Sequence, residues 1–164
     1  MSAYTFTLKT ALKYQLDASP LTPDQLSGKS LADIEKQTLN YGGQHVPAHA
    51  LFDIRGRDTQ HIIFQGDCSH LDYIGANMRS GSITVEGNAG AFAACSMRGG
   101  LLTINGNVGD FLGAGFEGTR KGMLGGTIIV KGDAGDRVGD QMRRGLILIE
   151  GNVGDYCASR MIAG

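Results

Sequence analysis

GNAGAFAACSMRGGLLTIN, residues 87–105, is one copy of a phrase that this chain repeats. The other copies open at Gly66 (GDCSHLDYIGANMRSG), Gly106 (GNVGDFLGAGFEGTRKGMLGG), Gly132 (GDAGDRVGDQMRRG) and Gly151 (GNVGDYCASRMIAG). Their leading glycines lie 21, 19, 26 and 19 residues apart, and Met78, Met97, Met123, Met142 and Met161 mark the same place in each. After each of the first four copies comes a short apolar run: SITVE, LLTIN, TIIVK and LILIE. A fixed period near 19 that joins one Gly-rich turn to one alternating strand predicts a stack of coils. The expected fold class is all-β: a right-handed parallel β-helix (β-solenoid) over residues 51–164, behind a small α+β lead-in at 1–50.

Aligning the runs places Ile83, Leu102, Ile128 and Ile147 in one column and Val85, Ile104, Val130 and Ile149 in a second. A strand's period of two turns Thr84, Thr103, Ile129 and Leu148 to the opposite face. Ile129 and Leu148 on that face suggest that something covers it. The G-[DN]-x-G corners are expected to use glycine for positive φ, with Asp or Asn bonding its own backbone two residues on. Tyr73, Phe92, Phe111 and Tyr156 form a further column, interrupted by Arg137.

The lead-in differs in composition. All three prolines lie before Phe52, whereas 22 of the 26 glycines lie from Gly66 onward. Residues 4–17 alternate as one or two strands. Ser30 is expected to cap a short helix, with Asp33 reaching back to it and Leu31, Ile34 and Leu39 as its buried stripe. YGGQH reads as a turn, and LFDIRG and HIIFQG as strands.

The net charge of −1 argues against a general nucleic-acid binder, and no run of about 18 apolar residues is present to cross a membrane. MSAYTFTLK has neither the basic flank nor the apolar core of a signal peptide, so a cytoplasmic protein is expected. Three cysteines, Cys68, Cys95 and Cys157, sit at no C-x-x-C spacing, and Cys95 and Cys157 are expected to be small buried hydrophobes.

GAGFEG at 113–118 fits G-x-G-x-x-G, but no helix-forming stretch follows, which excludes a dinucleotide site. Calcium is disfavoured because Gly/Asp-rich β-rolls repeat at nine residues. His45 and His49 straddle Pro47, which spoils a helical metal pair. No nucleophile–base pair can be assembled, so no catalytic residue, metal ligand or intrinsic activity is expected. The candidate binding residues are cationic. Arg79, Arg98, Arg143 and Arg144 follow their methionines, Arg160 precedes one, and Arg120 and Lys121 lie in the seven-residue insertion of the third copy. They form either a solvated corner balanced by Asp110, Asp136, Asp140 and Asp155, or a track for an anionic ligand or acidic partner.

Taken together, the two halves resemble the C subunit of formylmethanofuran dehydrogenase. The repeats are similar to the GXGXG-type domain that this subunit shares with the C-terminal domain of the glutamate synthase large subunit. The segment at 14–56, especially TPDQLSGKSLADI and LFDIRG, resembles the lead-in of the former. That resemblance implies a non-catalytic scaffold subunit in tetrahydromethanopterin- and methanofuran-linked one-carbon metabolism. Two settings are open: an archaeal molybdenum or tungsten formylmethanofuran dehydrogenase, or the bacterial formyltransferase/hydrolase complex of methylotrophs, with the bacterial one preferred. The implied partners are an amidohydrolase-like A subunit, a B subunit and a formyltransferase. The carriers, methanofuran-type and tetrahydromethanopterin, would belong to the complex rather than to this chain. A glutamate synthase-type structural domain and a standalone polyanion-binding module stay as alternatives. Members of the family run longer, so the chain is expected to stop short of their C-terminal end, leaving LILIE as an open edge.

Overall fold

The computed structural model describes residues 2–164. In chain order the elements are β1 (Ala3–Leu8), β2 (Leu16–Asp17), α1 (Pro23–Leu26), α2 (Leu31–Glu35), β3 (Thr38–Tyr41), β4 (Gln44–Pro47) and α3 (Ala48–Leu51). There follow β5 (Phe52–Arg55), β6 (Asp58–Gln65), β7 (Leu71–Asp72), β8 (Ser82–Val85), β9 (Leu101–Ile104), β10 (Leu124–Val130) and β11 (Arg144–Ile149). One sheet has seven strands in the order β11-β10-β9-β8-β6-β1-β5, and a second has four in the order β4-β3-β2-β7.

This architecture corrects the expected all-β, right-handed parallel β-helix of GXGXG-type repeats. Both sheets are mixed. In the larger, β1 pairs parallel with β6 but antiparallel with β5; in the smaller, β3 is antiparallel to both neighbours. Three short helices interrupt the lead-in. The described residues form no closed solenoid, because the G-[DN]-x-G corners never become a strand. They contribute single parallel bridges only: Cys68 to Ala89, Ala89 to Val108, Val108 to Ala134 and Ala134 to Val153.

The repeat register does decide how the larger sheet is buried. Strands β6, β8, β9, β10 and β11 run parallel, which aligns Ile62, Ile83, Leu102, Ile128 and Ile147, and likewise Phe64, Val85, Ile104, Val130 and Ile149. Both columns are buried as far as Val130, whereas Ile147 and Ile149 are half-buried on the edge strand β11. On the opposite face Thr84, Thr103 and Ile129 are half-buried and Leu148 is exposed. At the other end of the sheet the Phe6 ring lies 5.6 Å from Phe52 and 5.4 Å from Phe64. All three rings are fully buried, joining the lead-in to the repeats through one apolar cluster.

Corner chemistry departs from the sequence reading in two ways. The Asp and Asn side chains bond the next copy rather than their own loop. Asn88 Oδ1 accepts from Asn107 N (2.8 Å), Asn107 Oδ1 from Asp133 N (2.8 Å) and Asp133 Oδ1 from Asn152 N (2.8 Å). Only the first copy keeps the local form, with Ser69 N donating to Asp67 Oδ1. Second, the corner glycines from Gly87 onward do not have positive φ; they are needed because another backbone passes close. A Cβ on Gly106 would lie 2.7 Å from the Gly87 carbonyl carbon and 2.8 Å from its oxygen. Positive φ falls instead on the aromatic column and its Arg137 interruption: Tyr73 (61°), Phe92 (58°), Phe111 (64°), Arg137 (58°) and Tyr156 (59°).

In the lead-in, Ser30 and Asp33 form the expected capping box on α2. Ile34 is buried, but Leu31 is 38% exposed and Leu39 belongs to β3, so the helix is shorter than its predicted stripe. Helix α1, capped by Thr22 with Pro23 in its first turn, was not expected. YGGQH turns between β3 and β4 as read.

Four substitutions, in two pairs, test the register and the role of the corner glycines. Ile104→Asp buries an unpaired carboxylate and should cost several kcal/mol, about 3 or more, while Thr103→Asp on the half-buried face should cost much less. Equal losses in thermal melts would refute the register. Gly106→Ala should destabilise by roughly 2–3 kcal/mol because backbone must move. Gly28→Ala, where φ is +77° and the space is open, should cost only about 1 kcal/mol of backbone strain. Denaturant unfolding of both variants separates close approach from φ as the reason for corner glycines.

Candidate functional site

The post-methionine arginines are aligned by backbone bonds between copies. Arg98 N donates to Met78 O (2.8 Å), Leu124 N to Met97 O (2.7 Å) and Arg143 N to Met123 O (2.8 Å). This makes a column of Arg79, Arg98, Leu124 and Arg143, with the third copy supplying leucine. Arg160 belongs to the neighbouring column before the methionine, with Asn77, Ser96 and Gln141, whose backbones are bonded copy to copy in the same manner. Arg144 opens β11, opposite Leu124. The predicted cations are thus distributed over more than one stripe.

Four of the seven line two clefts, Arg79 and Arg98 one and Arg120 and Arg160 the other. Arg79 and Arg98 line one of about 470 Å³ together with Thr22, Asp24, Gln25 and Asn77. The lead-in supplies its other wall through α1. Asp24 is the only carboxylate lining this cleft, and it is already engaged: Oδ2 accepts from Arg79 N (2.6 Å) and Oδ1 from Ser80 Oγ (3.0 Å). Both arginine side chains are exposed and make no ion pair with a carboxylate among the described residues.

The second cleft, about 560 Å³, lies beside the insertion and includes Arg120 and Arg160. Asp140, 4% exposed, holds Arg160 by two bonds, from Nε at 3.2 Å and from Nη2 at 2.7 Å. That pairing raises the Arg160 pKa. The insertion is tied down by Ser96 Oγ donating to Lys121 O (2.8 Å) and Gln141 Nε2 to Thr119 O (3.2 Å). Arg143 is half-buried, with Nη2 donating to Arg120 O at 3.5 Å and Nε left without a partner. Lys121 and Arg144 are exposed.

Of the four acids expected to balance the arginines, only Asp140 pairs with one. Asp110 and Asp136 instead accept backbone N–H groups from the next copy, Asp136 N at 2.7 Å and Asp155 N at 2.8 Å. Asp155 makes no ion pair among the described residues. The aromatic column is present: Tyr73 and Phe92 stack at 5.1 Å, Phe92 and Phe111 at 4.8 Å, and the Arg137 guanidinium lies 4.6 Å over the Tyr156 ring. Sequence reading missed Phe116, which returns from the insertion to stack on Tyr73 at 6.0 Å. Its place just after the aromatic corner was the available signal.

Burial pushes the Cys68 and Cys95 thiols up to about 12, which makes them poor nucleophiles. Cys157, expected to be buried, is exposed. The described residues contain no cluster of three or more His, Cys, Asp or Glu side chains that could hold a metal, and no helix long and apolar enough to cross a membrane. In GAGFEG, Gly113 N donates to Ala93 O (2.9 Å) between copies, and no helix follows the segment.

No protein-family model matches the chain. It is 33% identical over 87 residues to the C subunit of the molybdenum-containing formylmethanofuran dehydrogenase 1 of Methanosarcina barkeri, covering 50% of this chain and 29% of that one. It is 34% identical over 86 residues to the C subunit of the formyltransferase/hydrolase complex of Methylorubrum extorquens, covering 52% of this chain and 32% of that one. The chain therefore spans about a third of the length of these curated relatives. Its fold is similar to a chain in the crystal structure of the Methylorubrum extorquens formyltransferase/hydrolase complex bound to methylofuran. The TM-score is 0.79 at 33% identity, covering 96% of this chain and 66% of that one. By sequence, this chain is similar to the C subunits of formylmethanofuran dehydrogenase and of the formyltransferase/hydrolase complex, and by fold it is similar to a chain of the latter complex.

Proposed function

We propose that the chain serves as a non-catalytic scaffold subunit in a complex of the formylmethanofuran dehydrogenase or formyltransferase/hydrolase kind. The observation that carries this reading is the 0.79 TM-score over 96% of the chain to a chain of such a complex. In this reading the formyl chemistry, the methanofuran-type carrier and tetrahydromethanopterin, and any molybdenum or tungsten, belong to the partner subunits. The amidohydrolase-like A, B and formyltransferase subunits would be those partners. Residues 1–50 act as the lead-in that closes one end of the repeat block at 51–164.

Electrostatics supports a docking role for the arginine clefts. Asp24 offsets part of the positive charge of the first cleft, but its carboxylate oxygens accept from Arg79 N and Ser80 Oγ rather than from a guanidinium. Arg79 and Arg98 are left as exposed cations on adjacent copies, fixed in spacing by the backbone ladder. Paired cations held at fixed spacing suit an acidic patch on a neighbouring protein of the complex, and such pairing speeds encounter and sharpens specificity.

Purification of the native protein from its source should bring the partner subunits with it; recovery of the chain alone under gentle, low-salt conditions would overturn the scaffold reading. Replacing Arg79 and Arg98 together with Glu should weaken assembly by roughly tenfold or more and flatten its dependence on salt, while leaving the melting temperature of the isolated chain nearly unchanged. Unaltered assembly across a salt series would leave these residues as solvated corners.

A further inference from the structure

We propose that the cleft beside the 115–121 loop binds a planar aromatic group carrying one anionic substituent. This goes beyond the scaffold reading and does not rest on it. The cleft's volume, about 560 Å³, is that of a small-molecule site. One wall is aromatic: Phe92 and Phe111 stack with planes 1° apart, and Phe116 lies beside them on the loop. All three rings are only half-buried, so an apolar surface faces the opening rather than the core. Tyr73 and Phe111 stack on Phe92, so this wall offers ring edges, and such fixed edges suit edge-to-face packing of a further flat ring at little entropic cost.

The other wall supplies the charge. Arg160 is held by the buried Asp140 through Nε and Nη2, which leaves Nη1 outside that pair, and its side chain remains 63% exposed. An arginine fixed by a buried carboxylate is oriented before ligand arrives, unlike a free surface arginine. The Arg160–Asp140 pair carries no net charge, so Arg160 offers an oriented Nη1–H donor rather than a free positive charge. Of the remaining charges, the loop's Glu117 opposes Arg120 at the cleft, and Lys121 and Arg143 add positive charge just outside it. The third copy alone carries the seven-residue insertion that builds the loop wall, so the cleft is specific to this place in the repeat.

The probe is 2-naphthoate, titrated into the full 164-residue chain by NMR, with uncharged 2-naphthamide and non-aromatic cyclohexanecarboxylate alongside. Naphthoate should bind saturably and shift the Phe111, Gln141 and Arg160 signals, with naphthamide about tenfold weaker for loss of one charged hydrogen bond and cyclohexanecarboxylate about tenfold weaker for loss of aromatic packing. Phe111→Leu and Arg120→Gln should each reduce affinity severalfold. Because Arg160→Gln strands the Asp140 charge, the paired variant Asp140→Asn with Arg160→Gln keeps the test valid, and it should lose the preference for naphthoate over naphthamide. Arg79→Gln, in the other cleft, should bind like the parent. Absence of saturable binding, or equal binding by the paired variant, overturns the proposal. Displacement of bound probe when the chain enters a complex would assign the cleft to a partner's side chains and overturn it as well.

Discussion

The structure depends on one repeated bond: a side-chain oxygen at each corner accepting a backbone N–H from the following copy. Asn88, Asn107 and Asp133 make one row of such bonds, each at 2.8 Å, and Asp110 and Asp136 make a second. Corner backbone bonds copy to copy only at some of its amides, as Gly106 N does to Gly87 O and Val108 N to Asp133 O, and the amides between these need another acceptor. The side-chain oxygens fill that gap, and they also fix which residue sits over which. Register in the apolar columns follows from this, since a slip of one residue would turn Ile104 and Val130 to the outer face. The insertion shows how strong the constraint is. The interval from Gly106 to Gly132 is seven residues longer than its neighbours, yet Asn107 still meets Asp133 and Ile104 still meets Val130. The added residues are accommodated outside the rows.

That same constraint explains what could be read in the sequence and what could not. The apolar columns were legible because period-two alternation and a fixed repeat leave one register in which every buried position is apolar. Ser30 with Asp33 was legible because a capping box is local, spanning only three residues. The global topology was not legible. The repeats alone call for parallel strands throughout, and nothing in AYTFTL or FDIR says that β1 and β5 will join the same sheet with antiparallel pairing. That pairing is decided by the Phe6, Phe52 and Phe64 contact, which is a tertiary event between residues far apart in the chain. The corner glycines were assigned to the right positions for the wrong reason. Close approach between copies is invisible to local φ preferences, whereas positive φ settled on other repeat glycines such as Gly75, Gly113 and Gly139, and on Tyr73, Phe92 and Phe111, where no sequence rule places it.

For the candidate site, residue identity was readable but grouping was not. Arg79 and Arg98 share a cleft because equivalent positions stack, which the repeat spacing implies. The opposing wall of that cleft comes from Thr22 and Asp24 in the lead-in, more than fifty positions earlier than Arg79. Arg160 was set with the other arginines because it adjoins a methionine, but one residue before Met161 is a different column from one residue after. In a stack of copies that offset moves a side chain to a new surface, and here it delivers Arg160 to Asp140 instead of to Arg143.

The two clefts also differ in what makes them specific to one copy. A perfect repeat would present the same surface at each level, so any unique site must come from a departure from the repeat. At the first cleft the departure is the lead-in: α1 reaches the first copy, where Asp24 bonds Arg79 N and Ser80 Oγ, and it cannot do the same for later copies. At the second it is the insertion, whose Phe116 and Arg120 have no counterparts in the other copies. The regular part of the chain supplies spacing, and the two irregular parts supply the walls that make each cleft unique. Substitutions in the apolar columns therefore act through stability, whereas Asp24, Phe116 and Arg120 lie outside those columns, at the two clefts.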